Sequence, residues 1–294
     1  MKRHLWPLVL ASLFISVSSA HAITVSIEGN YLYPGNQDVV LGSAVFPPAS
    51  GNHVLEADPD FGFKATVEHA NWRASWRWLN TKSTDSFSAG AGTYWAALNH
   101  PSASYIYSAL QADGEITLNV VDLDLLIPVT TPGSALVNLF GGLRYAGYEN
   151  TLNANYDAGT SIVNRSSENQ LFGLRGGVEF DYPLFGDNLS LQGGAAVSLM
   201  AGESKFNQTE SLVPLTLDLK QNSIVPGFDV DLALNYSLNL AHTAVDVFVG
   251  YEFMQLNNAV FNQNFVDDIN DGAQVNDAMN AAFHGAKFGL SVTF

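Results

Sequence analysis

Lys287-Phe288-Gly289-Leu290-Ser291-Val292-Thr293-Phe294 stands at the end of the sequence. Phe288, Leu290, Val292 and Phe294 share one parity, and Lys287, Gly289, Ser291 and Thr293 share the other. Strict alternation of this kind makes a β-strand with one apolar and one polar face. A soluble sheet edge can carry the same pattern. Which medium meets the apolar face is decided by the residues that precede it.

At the other end, Met1-Lys2-Arg3-His4 is basic and Leu5 to Val17 is mostly apolar. Ala20-His21-Ala22 then places small residues where a signal peptidase inspects the chain. The pattern predicts a secretory signal peptide over residues 1–22 and a single domain over residues 23–294. No second apolar run has the length of a spanning helix. There is no cysteine, so neither disulfides nor thiolate-held metals contribute. Twelve Lys and Arg against 28 Asp and Glu give a net charge of −16, the wrong sign for nucleic acid. No cofactor is expected.

Between the ends, period-two runs recur. Val25, Ile27, Gly29, Tyr31 and Tyr33 alternate with polar residues. So do Phe61 to Val67 and, after only His69-Ala70-Asn71, Trp72, Ala74, Trp76 and Trp78. Further runs pass through residues 115–125, 137–145, 172–182, 189–199, 228–236, 245–253 and 287–294. In the first of these the parity slips at Val120-Val121, which reads as a β-bulge. Ten strands result. Long segments (34–60, 80–113, 148–168, 202–226, 254–281) alternate with four short turns, and 202–226 has the look of a strand extension.

That asymmetry, with strands of about 9–11 residues, predicts an all-β, transmembrane, antiparallel up-and-down barrel of ten strands, with eight or twelve as alternatives. Short turns would face the periplasm and long loops the exterior. Aromatic residues favour lipid over a protein core as the outer medium. Tyr31, Tyr33, Trp76, Trp78, Tyr145, Tyr251 and Phe253 gather at the loop ends, and Trp72, Phe180, Tyr182, Tyr236 and Phe294 at the turn ends. Two such girdles fit two membrane interfaces. The expected location is the bacterial outer membrane, with lipid and lipopolysaccharide as surroundings.

The closing stretch resembles the C-terminal signal of bacterial outer-membrane barrels. That resemblance implies an assembly signal at Lys287, Gly289, Val292 and Phe294, read by the barrel-assembly machinery. The chain as a whole resembles the Legionella major outer membrane protein family. The shared pieces are Glu28-Gly29-Asn30-Tyr31-Leu32-Tyr33, Asp60-Phe61-Gly62-Phe63-Lys64, Val121-Asp122-Leu123-Asp124-Leu125, Phe140-Gly141-Gly142-Leu143-Arg144-Tyr145, Phe172-Gly173-Leu174-Arg175-Gly176-Gly177, and Leu189 through Leu199. The resemblance implies a pore-forming, porin-like role. Lack of cysteine departs from the members expected to carry some, and with it goes crosslinking between subunits.

The polar parity places Lys64, Arg73, Arg77, Arg144, Arg175 and Lys287 on the lumen side, facing Glu28, Glu68, Glu115, Asp122, Asp124, Glu179, Asp181, Asp229, Asp231, Asp246 and Glu252. Two readings stand: a charged ring that selects ions, or an ion-pair network that plugs a narrow barrel, since eight strands are just filled by side chains. Acids outnumber bases on this parity, which favours cations if there is passage. Two other classes are weighed. A hydrolase would draw on His53, near Asp58 and Asp60, or on His100; no histidine pair has metal-ligand spacing, and no catalytic residue is assigned. A plugged structural barrel could act as a surface adhesin through its loops. The acidic run Asp267-Asp268-Ile269-Asn270-Asp271 lacks the spacing of a calcium loop.

Overall fold

The computed structural model describes residues 22–35, 39–46, 52–87, 93–99, 106–129, 135–185, 188–213, 215–240, 243–265 and 274–294. In chain order its strands are β1 (Ile23–Gly35), β2 (Val39–Phe46), β3 (Asn52–Leu55), β4 (Asp60–His69), β5 (Trp72–Phe87), β6 (Thr93–Ala96) and β7 (Ile106–Tyr107). There follow β8 (Leu110–Val129), β9 (Leu136–Tyr156), β10 (Ser161–Phe185), β11 (Leu189–Glu210), β12 (Leu215–Leu240), β13 (Thr243–Phe265) and β14 (Gln274–Thr293). Ten of them close an antiparallel barrel in the order β1-β14-β13-β12-β11-β10-β9-β8-β5-β4, and β3-β2-β6-β7 form a separate small sheet. Among the described residues no helix is long and apolar enough to cross a membrane.

The closing stretch is no edge. Leu290 pairs with Ile27 on one side and Val247 on the other, and the Ile23 and Phe294 backbones bond each other in both directions. Closure of this kind leaves no unpaired strand in the wall, the condition for crossing lipid with β-structure.

Several strands are far longer than a membrane needs. β10 has 25 residues and β12 has 26, against the roughly 9–11 of a tilted crossing. The outer face of β10 shows where lipid ends. Phe172, Leu174, Gly176, Val178, Phe180 and Tyr182 share the outward face, with Phe172, Leu174, Val178 and Tyr182 exposed and Phe180 half-buried, whereas Asn164, Ser166, Glu168 and Gln170 continue the same face beyond them. Ten residues at about 3.4 Å each, tilted by about 40°, give an apolar band of about 25 Å. Neighbouring strands make the same change at matching register: Val121 to Asn119 on β8, Ala201 to Glu203 on β11, Ile224 to Asn222 on β12.

The inner face changes in the opposite sense at the same level. Toward the turn end it carries charge. At the boundary it becomes apolar, with Leu32, Leu79, Leu118, Val120, Leu171, Met200, Val225, Met254 and Phe283 in one buried cluster. This corrects the reading of β8. Its pairing with β5 and β9 runs without a register shift, so there is no bulge at Val120-Val121. Ile116, Leu118 and Val120 face inward and are buried, on the parity of Asp122 and Asp124; Thr117, Asn119 and Glu115 face outward. The apparent slip is a switch of medium, from lipid to water outside and from charge to apolar packing inside.

The segments read as long loops are corrected likewise. Residues 148–168 continue β9 and β10 to a single 3-10 turn, Asp157–Gly159. Residues 202–210 and 215–226 extend β11 and β12, as the alternation within 202–226 suggested, and 254–265, read as loop, extends β13. The small sheet packs on the inner face of the outer β8, β9 and β10. There Leu41, Leu55, Leu98, Tyr107, Leu110, Leu152, Tyr156 and Val163 form a second buried cluster. Tyr156 donates from its hydroxyl to the Leu41 carbonyl (2.9 Å). Burial here pushes the phenols of Tyr107 and Tyr156 well above the ordinary tyrosine range.

Arginine on the outer face near the middle of the apolar band should cost about 2–4 kcal/mol, whereas beyond the boundary it should cost under about 0.5 kcal/mol. Val178→Arg and Ser166→Arg sit on the same face of β10. Urea unfolding from lipid vesicles should show the first loss and not the second.

Candidate functional site in the barrel interior

Six basic side chains were expected on the inner parity. Five of them bridge the bore. Arg144 on β9 clamps its cross-strand neighbour Asp122 (Nε to Oδ1 2.7 Å, Nη2 to Oδ2 3.0 Å). It also reaches Asp229 on β12 at 2.7 Å, three strands away around the wall. Arg175 on β10 holds Asp122 at 2.7 Å and Asp124 at 3.0 Å. Arg73 on β5 crosses to Glu179 on β10 (2.6 Å) and touches Glu68 (3.4 Å). Arg77 reaches Glu252 on β13 at 2.5 Å. Lys287 on β14 holds Asp231 at 2.5 Å, with Glu28 at 3.9 Å. The sixth, Lys64, pairs in register with Glu28 and Arg77. Asp246 lies lower, accepting from the Ser237 hydroxyl (2.5 Å).

The sequence folds into this arrangement because the wall supplies small residues opposite the long ones. β11 turns Gly194, Ala196, Ser198 and Gly202 inward, leaving room for guanidinium groups from across the bore. A Cβ at Gly177 would strike the Phe140 ring. Glycine there lets that ring lie over the interior, where the guanidinium carbons of Arg73 and Arg175 sit 5.2 and 4.9 Å from its centroid. Ion pairs removed from bulk water stand only when both partners are present and hydrogen-bonded. Asp124, Arg144, Glu252 and Lys287 are all buried.

Seen along the axis, the interior has two storeys. The charged one opens toward the turn end, where Asp231 and Glu68 keep 40% and 34% of their side-chain surface exposed. The apolar one lies above it and is sealed. Leu32, Leu79, Leu118, Leu171, Met200, Met254 and Phe283, from seven strands around the wall, each expose no more than 2%. Side chains lining a water-filled bore cannot be this buried. This storey was missed in the sequence because apolar residues were assigned to the lipid side by type. The missed signal is that Leu118 and Val120 share the parity of Asp122.

The other candidates fall apart spatially. His53 bonds Asp85, Nε2 to Oδ2 at 2.5 Å, rather than Asp58 or Asp60. Its ring packs against Phe87 and Tyr94 under the small sheet. His100 and the run Asp267 to Asp271 lie outside the described residues. His284 faces outward at the boundary with its Nδ1 2.6 Å from the Tyr251 hydroxyl and its ring stacked on Tyr33, inside the aromatic girdle expected there. Among the described residues no three His, Cys, Asp or Glu side chains converge to hold a metal ion.

A closed ten-stranded wall, an apolar outer belt and a charged interior define an outer-membrane β-barrel, located in the bacterial outer membrane. The chain belongs to the family described as Legionella pneumophila major outer membrane protein precursor, whose profile matches residues 17–294. No curated protein matches the chain. Among solved structures it is similar to the outer membrane protease OmpT of Escherichia coli, at 11% identity over 95% of this chain and 99% of that one, with a TM-score of 0.50. A major outer membrane protein of Thermus thermophilus follows, at 15% identity, 94% and 100% coverage and a TM-score of 0.37. The P. putida toluene transporter TodX aligns at 9% identity, 94% and 90% coverage and a TM-score of 0.30. At 11% identity the likeness to OmpT speaks for architecture only, and no argument rests on the other two.

Removing one partner of the buried network leaves the others unpaired. Arg144→Met should cost about 3–5 kcal/mol in urea unfolding from vesicles. Replacing Asp122 and Asp229 by Asn in the same chain should recover part of that loss.

Proposed function

We propose that the protein is a porin-type barrel, not an enzyme, that is held closed and passes small cations when its apolar storey parts. The observation that carries this reading is the pairing of the two storeys: an acid-rich, ion-paired storey whose Asp231 and Glu68 are exposed toward the turn end, beneath a sealed apolar layer at the outer boundary. Apolar constrictions close pores by excluding water, and the surplus of acids over bases below the layer attracts cations. Family membership supports the porin-type part. Against a hydrolase, the His53 ring is committed to Asp85 inside a packed aromatic cluster.

A second reading, a surface anchor, has its own observation. Beyond the boundary the barrel continues as a packed extension, with a buried core of its own under the small sheet. In either case we take the partners to be outer-leaflet lipid and lipopolysaccharide around the belt. We take the assembly machinery to recognise the last strand through Lys287, Gly289, Val292 and Phe294.

Planar bilayers test the proposal. The unaltered protein should stay closed for long intervals and open to cation-selective steps. Leu118→Ser with Leu171→Ser, which wets the apolar layer, should raise the open fraction at least tenfold with the same selectivity. Steady conduction by the unaltered protein would overturn the closed barrel, and a reversal potential favouring chloride would overturn cation preference. Silence from both proteins, each shown to be folded by its heat-dependent gel mobility, would leave the anchor.

A further inference from the structure

Above the boundary β13 and β14 part from the strands on either side of them. Pairing of β12 with β13 begins at Gly227–Leu256, one residue past Pro226, and β1 pairs with β14 no farther than Gly35–Ala282, one residue past Pro34. Proline has no N–H to offer an adjoining strand. Between Leu256–Ala281 and Val260–Met279 the register of β13 against β14 shifts by two residues, so Asn257, Asn258 and Ala259 face one residue, Asn280. Asn258 turns the chain with φ at +58°, in the left-handed region that Asn tolerates better than most side chains.

The turned segment points into the bore. Ala259 and Val260 are buried in the apolar storey with Leu171, Tyr148 and Phe283. Asn169 of β10 donates from Nδ2 to the Ala259 carbonyl, although β10 and β13 stand three places apart in the wall. The contact therefore spans the opening. Two further ties hold the bend: Asn257 Nδ2 to the Pro226 carbonyl at 3.3 Å, and the Asn258 N–H to Asn280 Oδ1 at 3.0 Å. Among the described residues, Asn257 to Ala259 fall in the register shift and Val260 pairs with Met279 of β14 alone, whereas Leu118, Leu171 and Met200 sit on strands paired on both sides.

We infer that residues 257–260, with Met279–Ala281 beside them, are the gate: the segment pivots at Asn257-Asn258, and the Asn169 side chain is its latch. The inference rests on the porin-type reading and names the moving part of that same site.

The absence of native cysteine allows a direct experiment. Asn169→Cys with Ala259→Cys, joined in the folded protein by a short bis-methanethiosulfonate linker, should lose at least nine-tenths of its openings in planar bilayers and regain them on reduction. Asn169→Ala, which removes the latch and leaves the pivot, should lengthen open intervals severalfold with unchanged cation preference. Conduction that survives verified crosslinking, or open times in Asn169→Ala equal to those of the parent, would overturn the gate. If Leu118→Ser with Leu171→Ser still conducts in that event, passage itself stands. If no variant conducts, both readings fall together.

Discussion

Each wall strand has two faces, and each face must suit the medium it meets. That single requirement governs the molecule. Within the apolar band the outer face meets hydrocarbon, and polar side chains are driven inside, where only mutual pairing makes them tolerable. Above the band the outer face meets water and the interior can be packed like an ordinary protein core. Both faces therefore exchange character at one level around the barrel, visible between Phe172 and Gln170 outside and between Gly173 and Leu171 inside. The membrane boundary is written twice on the same strand.

The exchange sets the state of the interior. A ten-stranded wall is narrow enough for Arg144 to bond Asp122 beside it and Asp229 across from it. The charged storey thus binds the wall together at the level where lipid surrounds it. The apolar storey arises for a different reason: it is the lower edge of the core that stabilises the extension above the membrane. A barrel without such an extension would have no need of Leu118, Met200 and Met254 on its inner face. Closure of the bore follows from building a packed structure on top of a membrane wall.

Much of this was legible in the residues. Alternation in the final stretch, the turn and loop asymmetry and the paired aromatic rims pointed to ten strands and their lipid-facing sides. What failed was the rule that apolar means outward. In β8 the rule turned an uninterrupted strand into two halves with a bulge between them, because Ile116, Leu118 and Val120 are inward and apolar. On β10 the same rule ended the strand at Phe172, since Asn164, Ser166, Glu168 and Gln170 look like loop although they occupy the outer face of a continuing strand. Holding parity fixed and letting the medium change would have found both. The bend at Asn257-Asn258 had a local signal, two consecutive residues that favour turns within a run otherwise readable as strand. Which way it folds depends on Asn169, ninety residues before Ala259, and no local pattern carries that.

Thiol accessibility measures the central claim most directly, because no native cysteine interferes. Single cysteines at Asp231 and at Leu118 share the interior but lie in different storeys. With a charged, membrane-impermeant thiol reagent, Asp231→Cys should be modified rapidly from the periplasmic side, and Leu118→Cys should be modified slowly from both sides. Equal, rapid modification of Leu118→Cys from both sides would mean that water fills the bore from end to end, and the account of an interior that exchanges charge for apolar packing at the membrane boundary would be wrong.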